Sequence, residues 1–525
     1  MSADFRSGIF RAERLHIAIA TVAGLCGAML IALFAVGYGG NPVKAIMQLV
    51  GVTLMLVATV NPLVGLSLLI FSSAYLDFLK RFLILFGVGS MGDVAGVLSV
   101  APVTILGVFL GTCVLHPIFS KRMLDKQERR LVFFSMFLIG VSLVSGIRIG
   151  NLDLSGIGAV ANKSAYSLLV PIIYVLYRRE GSVGIERLLR FLTLVYVPVA
   201  LYGLHQYFFG LAQFEIDYLR SGLTMTEANL YDVHPRAFST LNSGHAFSVS
   251  MGILFLLAIA LCSRHLRGHT GFLSSKGRWI LPVLFITACF LSFGRGGWIV
   301  AVIGAVCMVA FRTKARVIAF YSIFSVCFSL LVWKADVIYE SLGKIQSYLP
   351  TDSDFQQQAF RIGTYSERLY GFQNVFRNRA MWTWFGNPNL AYKPGQEEII
   401  DEVVHDAIGQ TLVSYGIAGL LTLVSGGSLA LLFLHRRILS IPKGPGEILG
   451  RVLLSILIAT FFGGMLTGSH IAVFPLNLLF WMTVGMLVTV AKTASRYPAA
   501  RSSDGQPRRS EALPRFAGDK RVHAG

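Results

Sequence analysis

Four places along the chain hold the residue types that chemistry on an anionic group would need. Arg295 stands in LSFGRGGW, between two apolar runs, beside glycines that let a backbone or a ligand come close. Arg236 stands in HPRAFSTLNSGHAF, with Asn242 six residues on, where another apolar run begins. Arg361 and Arg368 lie seven apart in RIGTYSERLYGFQNVF and so share one face of a helix. His405, in IIDEVVHDAIGQTL, has Asp401 and Asp406 beside it. A guanidinium is a planar fork that matches phosphate, and an imidazole among carboxylates is suited to general-base work near neutral pH. Each residue also fits a plainer role. A cation can anchor at a membrane interface, Asn242 or Ser243 can cap a helix, and a histidine at a span boundary can simply hydrogen-bond locally.

The elements that position these residues follow from composition. Of 525 residues, 54% are hydrophobic and 14% charged, and the mean hydropathy is +0.65. A soluble domain carries about 25% charged residues, a deficit explained if most of this chain faces lipid. Apolar runs of about 20 residues, each enough to cross a bilayer, recur from Leu15 to Ala491. The expected fold class is therefore all-α, a polytopic membrane bundle of about 14 transmembrane helices. The net charge of +19 is not a nucleic-acid footprint, because the basic residues fall in short clusters between the runs, as orientation signals do. The six cysteines lie in or beside the runs without a CxxC, so neither a disulfide framework nor a zinc site is signalled. Walker A, dinucleotide-binding, HExxH, GxSxG and EF-hand patterns are absent from the sequence, which argues against an ATP-driven pump and a zinc protease. No metal or cofactor is expected.

Topology follows from the Lys/Arg bias. If Arg6, Arg11 and Arg14 are cytoplasmic, alternate loops carry KRMLDKQERR, then Arg178 and Arg179, then the clusters at 264–278 and 312–316, then Arg436 and Arg437. The expected organisation is a cytoplasmic N-terminus (1–14), helices one to eleven (15–333), a large periplasmic loop (334–407), helices twelve to fourteen (408–491) and a disordered basic cytoplasmic tail (492–525). Two pairs of spans are separated only by Asn61-Pro62 and by the turn at 293–297. In this arrangement all four candidate places sit at the outer ends of spans. A transporter would instead place ionisable residues near the midplane.

The combination resembles the bacterial O-antigen ligase/polymerase superfamily. Three stretches carry the resemblance: SFGRGGW, the loop stretch SERLYGFQNVFRNRAMWTWFGNPN, and HDAIGQTLVSYGIAGLL with Gly416 and Gly419. The sequence departs from the family where RAFSTLNSGHAF supplies only Arg236 and Asn242 of a longer pattern, and where Asp406 rather than Asn follows the histidine. The resemblance implies a metal-independent membrane glycosyltransferase of the bacterial inner membrane, and the Lys/Arg bias puts both termini on the cytoplasmic side. It implies His405, Arg295, Arg236 and Arg368 as catalytic residues, and Arg361, Asp401, Asp406 and Asn242 as substrate-binding ones. The expected donor is a polyprenyl-pyrophosphate-linked oligosaccharide or polysaccharide. The expected partners are membrane lipids and a flippase and chain-length regulator of the same pathway, with no nucleic acid. About 14 spans favour a polymerase over an O-antigen ligase, and a small-solute transporter is the remaining alternative.

Overall fold

A computed structural model describes residues 42–85, 96–119, 123–148, 164–221, 236–263, 277–333, 407–467 and 473–493, with positions 27, 337, 341, 344, 379 and 382–386 besides. Every regular element among them is helical. A bilayer permits this because a helix satisfies its own backbone groups where no water can. In chain order the α-helices of eight residues or more are α1 (Pro42–Val60), α2 (Pro62–Leu85), α3 (Val100–Phe109), α4 (Lys126–Arg148), α5 (Leu169–Tyr177), α6 (Ser182–Val195), α7 (Val197–Phe209) and α8 (Gln213–Arg220). There follow α9 (Gly244–Leu261), α10 (Ile280–Leu291), α11 (Arg295–Ala310), α12 (Lys314–Trp333), α13 (Ala407–Leu421), α14 (Gly427–Leu439), α15 (Pro445–Thr467) and α16 (Leu476–Thr493).

Seven helices among the described residues are long and apolar enough to cross a membrane, and four shorter apolar helices accompany them. The fold class is thus the expected one, while the total of about 14 spans exceeds what these helices establish. The first close break falls where the sequence puts it, α1 stopping at Val60 and α2 starting at Pro62; the second is shorter and earlier than the expected 293–297, with α10 and α11 separated by residues 292–294 and Arg295–Gly297 already helical. Proline at the first position of a helix costs nothing, because its missing N–H would be unsatisfied there anyway.

The interior is built on α9, whose Phe247, Met251 and Leu254 are fully buried. Around it pack α10, α11 and α15. Large apolar residues on α4, such as Phe133 and Phe137, point outward instead, as lipid-facing helices require.

Helix direction gives the bundle two unlike ends. One collects the C-terminal turns of α2 and α7, the short helix α8, and the N-termini of α9 and α11. The other collects basic residues, including Arg178, Arg312 and Arg437. There Arg178 pairs with Asp125 at 2.7 Å and also with Glu128, and Arg437 Nε donates to the Ala491 carbonyl at 3.2 Å.

Candidate functional site

Three of the expected site residues, Arg236, Asn242 and Arg295, are described, and all three lie at the first end. Arg295 is the first residue of α11 rather than a mid-helix residue. Ser243 is the N-cap of α9, its hydroxyl accepting from the Ala246 amide at 3.2 Å. That leaves Asn242 free of capping duty. A Cβ placed on Gly244 would lie 3.5 Å from Arg236 Cβ and 3.7 Å from the Ser292 carbonyl, and one on Gly294 would lie 2.8 Å from the Gly244 carbonyl. The segment bearing Arg236 and Asn242 therefore abuts the turn that presents Arg295. His405, Arg361, Arg368, Asp401 and Asp406 lie outside the described residues.

What fixes the 236–243 segment is a buried polar network absent from the sequence reading. Arg81, fully buried on α2, donates to Glu215 Oε1 at 3.0 Å and to the carbonyls of Ser239 and Leu241, and its guanidinium stacks 4.1 Å from the Phe238 ring. One planar fork thus ties α2 to α8 and to the segment. Gln206 of α7 donates to the same Glu215 oxygen at 2.7 Å, while its own carbonyl oxygen accepts from the amides of Phe238 (3.0 Å) and Ser239 (2.6 Å). Next to Arg81 on α2, Lys80 pairs with Asp77, one turn earlier, at 2.9 Å and donates to Asn242 Oδ1 at 3.0 Å. Asp77 and Lys80 are 2% and 4% exposed, so this is a desolvated pair whose members depend on one another.

The short helix α8 exists to complete this network. Its Glu215 accepts from the Ala212 amide at 3.1 Å, filling the helix N-terminus, and Phe214 stacks on Phe82 at 4.8 Å. Glu215, Tyr218 and Leu219 are buried, whereas Gln213, Asp217 and Arg220 are exposed. Burial pushes the Glu215 carboxyl above the usual carboxylate range, with the Arg81 charge opposing that shift, and burial lowers the Arg236 guanidinium. The arginine stays charged regardless, because its reference value lies so far above neutral pH.

Backbone strain falls on the two segments that meet. Among the described residues, the non-glycine residues with positive φ are Ser239 (54°) and Phe293 (52°). Such conformations cost about 1–3 kcal/mol each and persist only where the surroundings over-determine them. Ser239 is held at three atoms: its amide by Gln206, its carbonyl by Arg81, and its hydroxyl by the Val199 carbonyl at 2.5 Å. Phe293 is buried and packs 6.0 Å from the Tyr207 ring. Its turn is fastened on both sides, by the Ser248 hydroxyl on the Gly294 carbonyl and by Trp298 Nε1 on the Cys289 carbonyl at 3.1 Å.

A second junction lies on α13. Gly416 (φ 67°, ψ −163°) breaks that helix, and the amides of Ile417 and Ala418 turn to the carbonyls of Thr383 (2.9 Å) and Trp384 (3.1 Å). The Trp384 and Gly386 stretch of the long loop is thereby docked on the helix that follows His405 in sequence.

Residues 280–424 match the family model described as O-antigen ligase, and this match supports the O-antigen ligase/polymerase superfamily. The matched stretch runs from α10 to just past α13, and includes Arg295, Gly386, His405 and Gly416. No curated protein shows a significant match to the chain.

Proposed function

We propose that this multi-pass membrane protein polymerises polyprenyl-pyrophosphate-linked oligosaccharide repeat units at the periplasmic face during bacterial surface or exopolysaccharide synthesis. The observation that carries the reading is the meeting of two strained, over-fastened segments at one end of the bundle. One bears Arg236 and Asn242 and the other presents Arg295, inside or beside the family-matched stretch. Strain maintained by so many bonds is the mark of a pre-organised site.

In this reading a hydroxyl of the acceptor sugar attacks the anomeric carbon of the donor glycan. The new glycosidic bond forms as the bond to the polyprenyl pyrophosphate breaks, and the bond electrons leave with the pyrophosphate. Arg236, Arg295 and Arg368 offset the charge that develops on that leaving group, the work that fixed guanidinium groups do without a metal. His405 takes the hydroxyl proton, and Asp401 or Asp406 orients its ring. Asn242 and Arg361 hold the substrate. The basic character of the opposite end supports a cytoplasmic placement for that end and a periplasmic one for the site.

Transfer of a finished chain to a lipid A core or another acceptor is the second reading, favoured by the description of the matching family as a ligase. A small-solute transporter fits less well, because Arg295 begins a helix at one end of the bundle.

The test is a glycolipid and polymer profile of a deletion strain complemented with wild type, Arg295→Ala or His405→Ala. Single repeats left on the lipid carrier, with long polymer lost, support the polymerase. Full-length polymer stranded on the carrier means the ligase. Normal profiles from both variants remove the catalytic assignment.

A further inference from the structure

At the end of the bundle opposite Arg236 and Arg295, we infer a binding site for an anionic glycerophospholipid, distinct from any glycan chemistry. A cavity of about 540 Å³ opens there between the C-terminal ends of α9 and α11 and the first turns of α15. Its walls are apolar: Ile259 from α9, Met308 from α11, and Ile448 and Val452 from α15. Its rim is not. Arg312, Lys443 and Arg451 stand around it against one carboxylate, Glu447.

The charge balance points to an anion. Glu447 is already engaged by Arg451, Nη2 to Oε1 at 2.9 Å, which leaves the two exposed cations, Arg312 and Lys443, in excess. Within the Arg451 guanidinium, Nε is buried with no hydrogen-bond partner among the described residues. A buried charged donor left so is costly. The N-terminus of α15 opens onto the same space, and its amides and dipole favour negative charge.

The apolar walls decide which anion. A soluble phosphate gains nothing from Ile259, Met308 or Val452, whereas the acyl chains of a lipid cover them while its headgroup phosphate meets the rim cations. Basic pockets between membrane helices recognise anionic headgroups by this division of labour. The site is also remote from the other end, since α9 with its 18 residues separates the two by ~27 Å.

Titration of the purified, delipidated full-length chain with dioleoyl phosphatidylglycerol or dioleoyl phosphatidylcholine, with bound lipid counted by native mass spectrometry, tests the site. One phosphatidylglycerol should be retained at a concentration about 10–30-fold below that needed for phosphatidylcholine, in line with two added cations near a headgroup. The double variant R312Q/K443Q should lose that preference, and R312K/K443R should keep it. Millimolar inorganic phosphate should not displace the lipid. Equal retention of the two lipids, or a double variant that still prefers phosphatidylglycerol, overturns the site. Displacement by inorganic phosphate overturns the lipid assignment. Should the double variant not fold, the comparison of the two lipids on the wild-type chain still decides.

Discussion

Lys80 Nζ lies 3.0 Å from Asn242 Oδ1, joining two residues 162 positions apart in the chain. The same ammonium is paired with Asp77, so it carries its own counter-ion into the bundle. The effect is to hold a polar side chain at the candidate site by a cation whose charge is already answered. In the proposed reading Asn242 then offers its side-chain NH2 to the substrate without a net charge being brought to bear on it.

Because both members of the Lys80–Asp77 pair are desolvated, removing one should cost more than the pair is worth. Lys80→Met leaves a buried carboxylate without its cation and should destabilise the protein by about 3–5 kcal/mol. Asp77→Asn combined with Lys80→Met should recover most of that loss. Thermal unfolding in detergent reads both. If the single and double variants melt alike, the pair is not the dependent unit that the geometry describes.

Arg81→Lys keeps the charge but not the fork. A lysine ammonium is a point charge on a flexible stem and cannot span the three acceptors Glu215, Ser239 and Leu241 in fixed geometry. The variant should reach the membrane at near wild-type abundance and yet lose polymer or ligated product by ~10-fold or more, since misplacement of a site by about 1 Å costs on that order or above. A wild-type product profile from Arg81→Lys would show that the 236–243 segment does not depend on this anchor.

Much of the frame was legible in the sequence. Apolar runs locate the helices, Asn61-Pro62 marks a real break, and SFGRGG marks the turn that presents Arg295. The network around Arg81 is hidden in the sequence, and the reason is physical. Asp77, Lys80 and Arg81 look like the frayed end of a span, and only the fold brings Glu215, 134 residues away, against them. A signal was present nonetheless: three charges at i, i+3 and i+4 inside YLDFLKRFLILF are expensive in a membrane unless they serve a purpose. Helix α8 is hidden for a related reason. Eight residues give too short a pattern to separate an amphipathic helix from a loop, and its apolar face is recognisable only against Phe82 and Phe238.

His435 is 5% exposed, and neither ring nitrogen has a hydrogen-bond partner among the described residues. It packs edge-on against Phe311 at 4.7 Å and near Tyr321 at 6.2 Å. Replacing a buried polar group that makes no hydrogen bond with an apolar one of similar shape removes a desolvation penalty of about 1–3 kcal/mol. His435→Phe should therefore leave product unchanged and raise the melting temperature in detergent. A lower melting temperature would mean that the imidazole has a polar partner at that position.

Gly416 combines φ 67° with ψ −163°, a region open essentially to glycine alone. A Cβ there would also collide with the backbone of Gly386 and Thr383. Gly416→Ala should undock the 382–386 stretch, releasing the bonds of Ile417 and Ala418, and abolish product while other helices persist. Gly426→Ala, where a Cβ meets open space, is the control and should behave as wild type. Limited proteolysis of the long loop, faster in Gly416→Ala alone, is the direct readout of undocking.

Arg295 is flanked by Gly294 before it and Gly297 in the first turn of α11, two glycines whose neighbours differ in kind, and this gives the sharpest genetic test. A Cβ on Gly294 would strike the Cβ and hydroxyl of Ser248, and one on Gly297 would strike the Ser248 backbone carbonyl as well as its hydroxyl. Both alanine substitutions overpack a buried junction and should cost about 1–3 kcal/mol while displacing Arg295. Ser248→Gly removes the side chain but leaves the backbone in place. It should restore much of the product in Gly294→Ala, incompletely because the Gly244 carbonyl stands 2.8 Å from the same Cβ. It should restore little in Gly297→Ala, where the obstacle is main chain that cannot be mutated away. Equal rescue of both variants would show that side-chain crowding alone sets the position of Arg295, and that α9 and α11 are not held together by backbone contact at this point.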